Sequence, residues 1–493
     1  MSMKLRNIIW IGLVLVCGVG CSDFLDVQPK DKQSEKQLFS TRGGFYMAVN
    51  GIYNKVASTD LYGKNLSYEL VDVISKRYSP IQVNTYLTAL SSFDYTDNSV
   101  QTGLANTWTA AYNTILNCNV VLDNLEESDG ILLTSEYRML KGEMLALRAF
   151  LHFDMLRLFG PVYKNHPEAE AIPYNESARV SALPLLTADS VIHEKIQRDL
   201  DEAESLLADS DPVIEGGPMA SLENDQDVYL RYRQLRMNYY AVLALKARVY
   251  LYAGEQAKAL AVARKLLTDS KVDEYFPAVD PNKLLANQDN PDRVFSTEVL
   301  AGIYVKDRAD IHSSYFSSEQ AGTNYLHPRK NFVNANLFAE ETQDYRFQTW
   351  WRTASNESEG GYDFIKFEEI TPPSGTGDTE YFYAVFMSLI RLSEVYYIAA
   401  ESEPVLADKY AWLNKIRERR GLGALIVISE DDFMKRLRTE YLREFMGEGQ
   451  IFFMYKRLYA NITGDENGND INSYEAREER YVLPLPSGEI ANR

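Results

Sequence analysis

Apolar residues return at steps of three and four along most of this chain, the spacing that gathers them on one face of a helix. Trp108, Tyr112, Ile115, Cys118, Leu122 and Leu125 form one such stripe. Tyr137, Leu140, Met144, Leu147, Leu151, Met155 and Leu158 form a longer one, with Thr134 or Ser135 placed to cap its start and Gly160-Pro161 to end it. A third helix is expected from about Asp189 to Leu207, with Ile192, Ile196, Leu200, Ala203 and Leu207 inward. Arg236 to Leu267 is divided by Gly254 into two helices joined by a tight turn. The first is apolar nearly all round, as expected of a helix covered on both sides. Small residues such as Ala244, Ala247, Ala257 and Ala259 let those two axes approach closely. A later pair covers Ser388 to about Ser402 and Asp408 to Arg420.

Ala247, Tyr250, Gly254 and Ala259 keep the small–aromatic–glycine–small spacing of a tetratricopeptide repeat, although Lys246 and Lys271 occupy the usual Leu and Pro positions. Several irregular helix pairs point to a helical-array scaffold. Two stretches interrupt the periodicity. One covers about Ser58 to Gly103. The other covers roughly Val272 to Phe386 and is rich in Asn, Asp, Gly, Pro and aromatics, with β-like pieces VFSTEVLAGIYV and YRFQTWW. In the second piece, alternation would put Phe347, Thr349 and Trp351 on one face and Arg346, Gln348 and Trp350 on the other. Thr371 to Thr379 reads as an exposed loop. Irregular segments held by rigid helices are where binding residues concentrate.

The N-terminus reads as an address. Lys4 and Arg6 precede an apolar run from Ile8 to Gly20, thirteen residues and too short to span a bilayer. The run ends in Gly20-Cys21, like a bacterial lipoprotein cleavage site, although Gly18 stands where Leu is usual. Residues 1–20 are therefore expected to be a signal peptide, Cys21 the lipidated residue, and 21–40 a tether. Cys17 leaves with the signal and Cys21 carries lipid, so Cys118 has no disulfide partner; its place on a helical stripe marks it as a buried, inert thiol.

Charge narrows the classes. Lys plus Arg number 51 and Asp plus Glu 70, a net charge of −19, which repels phosphate backbones and speaks against nucleic-acid binding. The five histidines have no paired-ligand spacing, and there is no GxSxG elbow, P-loop or CxxC. Asp465 to Asp470 loosely resembles a calcium loop but lacks its sixth-position Gly, and Ala476 replaces the twelfth-position Glu. No metal or cofactor is expected.

Six motifs in order resemble the SusD/RagB family of bacterial surface lipoproteins. Phe24-Leu25-Asp26 and Pro29 follow the lipid cysteine. Trp108, Tyr112, Ile115 and Asn119 resemble that family's W…Y…I…N helix, and Leu389 to Tyr396 with Ala399-Ala-Glu401 its RLxExYLxxAE helix. Leu413 to Arg417 with Arg420-Gly421-Leu422 resembles LNxxRxRxGL. Glu440, Arg443, Glu444, Glu448 and Gly449 match the ERxxEFxxEG helix, and Tyr481 to Pro486 with Glu489 the closing YxLPIPxxE. Where the family continues with Arg and, three residues on, Asp, this chain has Ile451 and Met454, an apolar pair in place of a charged one. The glutamates and arginines of these last helices are expected as buried caps and ion pairs.

The resemblance implies a mainly α fold of about four tetratricopeptide-like helix pairs with a loop-rich, partly β insertion, spanning residues 41–493 as one domain. It implies a lipid-anchored, outward-facing position on the outer membrane. The implied partner is a TonB-dependent, SusC-like barrel transporter, to which a bound nutrient is handed without catalysis. The nutrient is an oligosaccharide, or a peptide as in the RagB branch; five Trp against 33 Tyr temper the glycan case. A lipid-anchored glycoside hydrolase and a purely structural adaptor are the competing classes. Ligand contacts are expected from the two irregular segments: Asp72, Arg77, Tyr78 and Tyr86 in the first, and Tyr304, Tyr315, Tyr325 and Trp350 in the second.

Overall fold

The computed structural model describes residues 30–78, 84–218, 228–286, 290–339, 341–355, 361–371, 382–467 and 470–491. Residues 1–20, expected as a signal peptide, Cys21 and nearly all of the Thr371–Thr379 loop lie outside these residues, as do the side chains of the calcium-like loop.

Helices dominate. In chain order they include α1 (Lys30–Leu38), α2 (Arg42–Val56), α3 (Leu70–Ile74), α4 (Thr85–Ser91), α5 (Asn98–Leu125), α6 (Thr134–Phe159), α7 (Gln197–Leu207), α8 (Tyr239–Tyr252) and α9 (Gln256–Leu267). After the middle segment come α12 (Leu392–Ser402), α13 (Leu406–Glu418), α14 (Glu430–Glu444) and α15 (Ile451–Leu458). Neighbouring helices pack as the stripes require: α5 on α6, α6 on α7, α8 on α9, α12 on α13, with α9 on α12 joining the last two pairs. This is the tetratricopeptide-like array. Gly254 makes the α8–α9 turn at φ +78°, a left-handed conformation that glycine takes without steric cost. Buried apolar side chains from Phe39 to Leu483 form one contiguous core.

Among the described residues strands are few and short; the first two, β1 (Glu170–Ile172) and β2 (Leu186–Thr187), pair antiparallel. The informative pair is β3 (Val299–Tyr304) with β6 (Phe386–Arg391), antiparallel from Val299 opposite Arg391 to Tyr304 opposite Phe386. The middle segment thus leaves the helical body along β3 and returns along β6, which runs directly into α12. Between them lie α10 (Arg308–Phe316), α11 (Tyr345–Trp350) and a hairpin of β4 (Trp351–Thr353) with β5 (Tyr362–Phe364).

Four expectations shift. Helix α1 begins inside the stretch read as a tether, and Phe39 just after it is buried. Helix α5 starts at Asn98, inside the stretch expected to be irregular as far as Gly103, because Asp97 caps it by accepting from the backbone N–H groups of Ser99 and Val100 (2.8 and 3.3 Å). Helix α6 is closed by neither Thr134 nor Ser135; Glu136 reaches back to accept from the Leu133 N–H at 3.0 Å. Ser388 to Arg391 is strand, so the later helix begins only at Leu392.

Candidate functional site

The first irregular segment turns three of its four expected ligand residues inward. Helix α3, LVDVI, is buried along its whole length. Asp72 on it accepts from the Gly447 N–H at 2.7 Å and the Tyr78 hydroxyl at 3.3 Å; burial pushes its carboxyl up to about 7. The Tyr78 hydroxyl also donates to the Tyr68 carbonyl at 3.1 Å. Arg77 donates to the carbonyls of Ser75 (2.9 Å) and Thr463, with its guanidinium 5.6 Å from the Phe332 ring. All three side chains are buried, Asp72 and Arg77 tying the segment to the C-terminal region and Tyr78 bonding within the segment, so they offer no face to a ligand.

Trp350 also turns inward, away from a ligand-facing position. The stretch expected as a strand is helix α11, because Asp344 accepts from the Arg346 N–H at 2.8 Å and caps it. Helical spacing then puts Arg346, Thr349 and Trp350 on the inner face. Trp350 is fully buried, its indole donates to the Arg293 carbonyl at 2.8 Å, and the Lys366 ammonium lies 4.0 Å from its ring centroid. Tyr304, at the end of β3, is 55% exposed.

The other tyrosines meet at a seam between the two segments. Tyr86 on α4 and Tyr315 on α10 are half-buried. Glu69, buried, is held by Lys64 through both carboxylate oxygens (2.9 and 2.8 Å). The Tyr86 hydroxyl reaches the same carboxylate at 3.5 Å, and Lys64 approaches the Tyr315 hydroxyl at 3.4 Å and lies 5.6 Å from its ring centroid. Beside them the Asn84 amide donates to Asn324 at 2.6 Å, joining one segment to the other. Next to Asn324, Tyr325 stacks on His327 (centroids 4.5 Å apart, 23° between planes) and donates to Asp363 at 2.6 Å. Burial and the Glu69 carboxylate hold the Tyr86 and Tyr315 phenols well above their usual range, so both remain neutral hydroxyls. Residue types alone singled out Tyr86, Tyr315 and Tyr325. They did not single out Lys64, Glu69, Asn84 or Asn324, whose mutual distances depend on how two remote loops dock.

Two family models match in the same order as the sequence motifs. Residues 23–215 match one described as "Starch-binding associating with outer membrane", and residues 326–492 match that of the SusD family. The chain belongs to the SusD/RagB family. Two SusD-like proteins of Formosa agariphila are each 22% identical to it, covering 85% and 99% of this chain and 82% and 97% of their own. The same fold is found in a SusD superfamily protein of Bacteroides thetaiotaomicron (TM-score 0.69, 22% identity, 92% of this chain and 98% of that one). It is found again in a SusD-like carbohydrate-binding protein of Bacteroides vulgatus (TM-score 0.69, 18% identity, 92% and 96%).

In this SusD/RagB chain the C-terminal motif residues are structural. Glu444 is fully buried and accepts from Arg346 (2.8 Å), Arg420 (3.0 and 2.6 Å) and Arg391. Glu440 takes Arg346, Arg417 and Arg443 at 2.7, 2.8 and 3.0 Å. Ile451 and Met454, the apolar pair in place of an expected charged one, are both buried. His152 and Cys118 are buried as well; burial pushes the Cys118 thiol up to about 12. Among the described residues, no group of three or more His, Cys, Asp or Glu side chains is placed to hold a metal ion, and no helix is long and apolar enough to cross a membrane.

Proposed function

We propose that this protein is a cell-surface nutrient-binding lipoprotein. It captures an oligosaccharide at the seam between its two irregular segments and passes it to a TonB-dependent, SusC-like barrel in the outer membrane. The observation that carries the reading is the meeting of Tyr86 and Tyr315 over the Lys64–Glu69 pair, beside Asn84, Asn324 and Tyr325. Ring faces suit the C–H faces of a sugar, and neutral hydroxyls and amides suit its alcohols. The protein acts by binding and carries out no bond-breaking step. Cys21 holds it to the membrane through lipid.

Calorimetry on the mature chain with neutral oligosaccharides and with short peptides tests the ligand. A Tyr86→Ala, Tyr315→Ala double variant that folds normally loses glycan affinity by about 1–3 kcal/mol, from about 0.5–1.5 kcal/mol per aromatic contact. Unchanged affinity moves the site elsewhere, and binding of peptides alone reassigns the ligand. Cys21→Ala releases the protein from the membrane fraction, and detergent extraction of wild type brings down one large β-barrel. A Cys21→Ala protein that still pellets with membranes, or recovery of the monomer alone, contradicts those two steps.

A further inference from the structure

Helix α5 also lines a cavity remote from the seam. Gly103 receives the Tyr86 ring so closely that an added Cβ would lie 3.2 Å from it. Tyr112 is nine residues on, about two and a half helical turns, and so lies on the opposite side of α5 and about 13 Å further along it. On that side is an open cavity of about 460 Å³. Trp108, Tyr112 and Asn113 of α5 form its floor, Asn175 and Ser181 its loop wall, and Glu489 of α16 (Ser487–Ala491) its far edge.

The loop wall is held by a buried polar network that the seam does not need. The Asn175 N–H donates to His152 Nε2 at 2.9 Å, while His152 Nδ1 lies 2.9 Å from the Arg148 carbonyl, which fixes a neutral imidazole protonated on Nδ1. The Asn119 amide donates to the carbonyls of Asn175 and Ser177 at 3.0 and 3.1 Å, and accepts from Arg148 at 3.0 Å. Arg148 and the Tyr174 hydroxyl both reach Asp199 Oδ2 at 2.7 Å, and Tyr174 stacks on His152 with centroids 3.8 Å apart. The Tyr112 hydroxyl donates to the Pro173 carbonyl at 2.8 Å, locking its ring against the start of the wall. A segment without regular structure is thereby fixed at five points over an aromatic floor.

Preorganised walls, an indole and a phenol, two amides, a hydroxyl and one carboxylate describe a pocket for a polyhydroxylated ring. The volume lies in the range of small-ligand sites and is too small for a folded partner. We propose that this cavity is a second carbohydrate-binding site, which takes a short neutral oligosaccharide independently of the seam. The carboxylate at its edge, on a chain of net charge −19, disfavours uronic and sulfated sugars there.

The test is calorimetric stoichiometry on the full mature chain with maltoheptaose, cellohexaose, xylohexaose and uncharged tetrapeptides as separate probes. Ser181→Trp fills the cavity from an exposed loop position, and Asn113→Ala trims an exposed amide from its floor. Wild type is expected to bind two equivalents of at least one of the oligosaccharides. Ser181→Trp removes one equivalent and Asn113→Ala weakens the same one about tenfold, while Tyr86→Ala, Tyr315→Ala removes the other. A single equivalent lost only in the seam variant, or tetrapeptide binding alone at the Ser181 cavity, overturns the second site. A single oligosaccharide equivalent lost only in Ser181→Trp upholds it and overturns the seam instead. Binding of no oligosaccharide by wild type overturns both.

Discussion

Asp72 shows what burial does to one side chain. Its carboxyl is lifted from the ordinary 3.8 to about 7 because the low-polarity surroundings oppose charge more than the Gly447 N–H and Arg77 favour it. Between about pH 4 and 7 the folded protein therefore keeps a proton that the unfolded chain has lost. Stability falls as pH rises through that window, by at most about 4 kcal/mol for a shift of this size. Asp72→Asn mimics the protonated group and keeps an oxygen for Gly447. It is expected to raise the melting temperature at pH 8 and to leave it nearly unchanged at pH 4; an equal shift at both pH values contradicts the assignment. Asp72, Arg77 and Tyr78 also show why residue type is a poor guide to a binding site. The same hydrogen-bonding groups that could serve a sugar serve here to dock a loop, and only the three-dimensional partners, Gly447 and Thr463, tell the two uses apart.

Helix α11 and helix α14 show the same limit one level up. YRFQTWW is rich in β-forming residues, yet one capping carboxylate and one inward Arg346 make it a helix. What settles it is Glu440 and Glu444, about a hundred residues away, which receive that arginine. Their own spacing was readable as a buried ion-pair helix; their partners were not. Burial alone would raise Glu440, but Arg346, Arg443 and Arg417 outweigh it and hold it at about 2, and Arg391 and Arg420 hold Glu444 well below its usual range. These depressed carboxylates stabilise the fold above about pH 4.5, and the contribution drains away as pH falls toward 2. Urea titrations should show the midpoint dropping steeply below pH 4.5. Glu444→Gln leaves three buried guanidiniums short of a counter-charge and should cost about 3–5 kcal/mol at pH 7. A loss under 1 kcal/mol would mean that the arginines find other acceptors.

At the scale of the molecule, the helical array was legible because period-3.6 stripes are local, and its coverage of both ends of the chain followed from ordered motifs. What joins those ends was not legible. The two family-model matches, 23–215 and 326–492, could belong to two separable bodies. Across the gap, however, the contacts are buried and specific. Gly447 donates to Asp72, Arg157 to Gln450 at 3.0 Å, and Lys456 to the Leu158 and Gly160 carbonyls at 3.3 and 2.7 Å. The Leu483 N–H donates to the Leu158 carbonyl at 3.2 Å, and Arg248, in the stretch between the two matches, clamps Glu394 through two 2.6 Å bonds. Separating the halves would break these hydrogen bonds and expose a continuous apolar core to water, a penalty of several kcal/mol. We propose that residues 41–493 unfold as one domain. Scanning calorimetry of the mature chain should give a single transition whose van't Hoff and calorimetric enthalpies agree. Ser181→Trp, placed in the N-terminal match, and Glu444→Gln, in the C-terminal one, should each move or spare that transition as a whole. A second peak that Glu444→Gln shifts while the first stays in place would divide the molecule between its two matched halves.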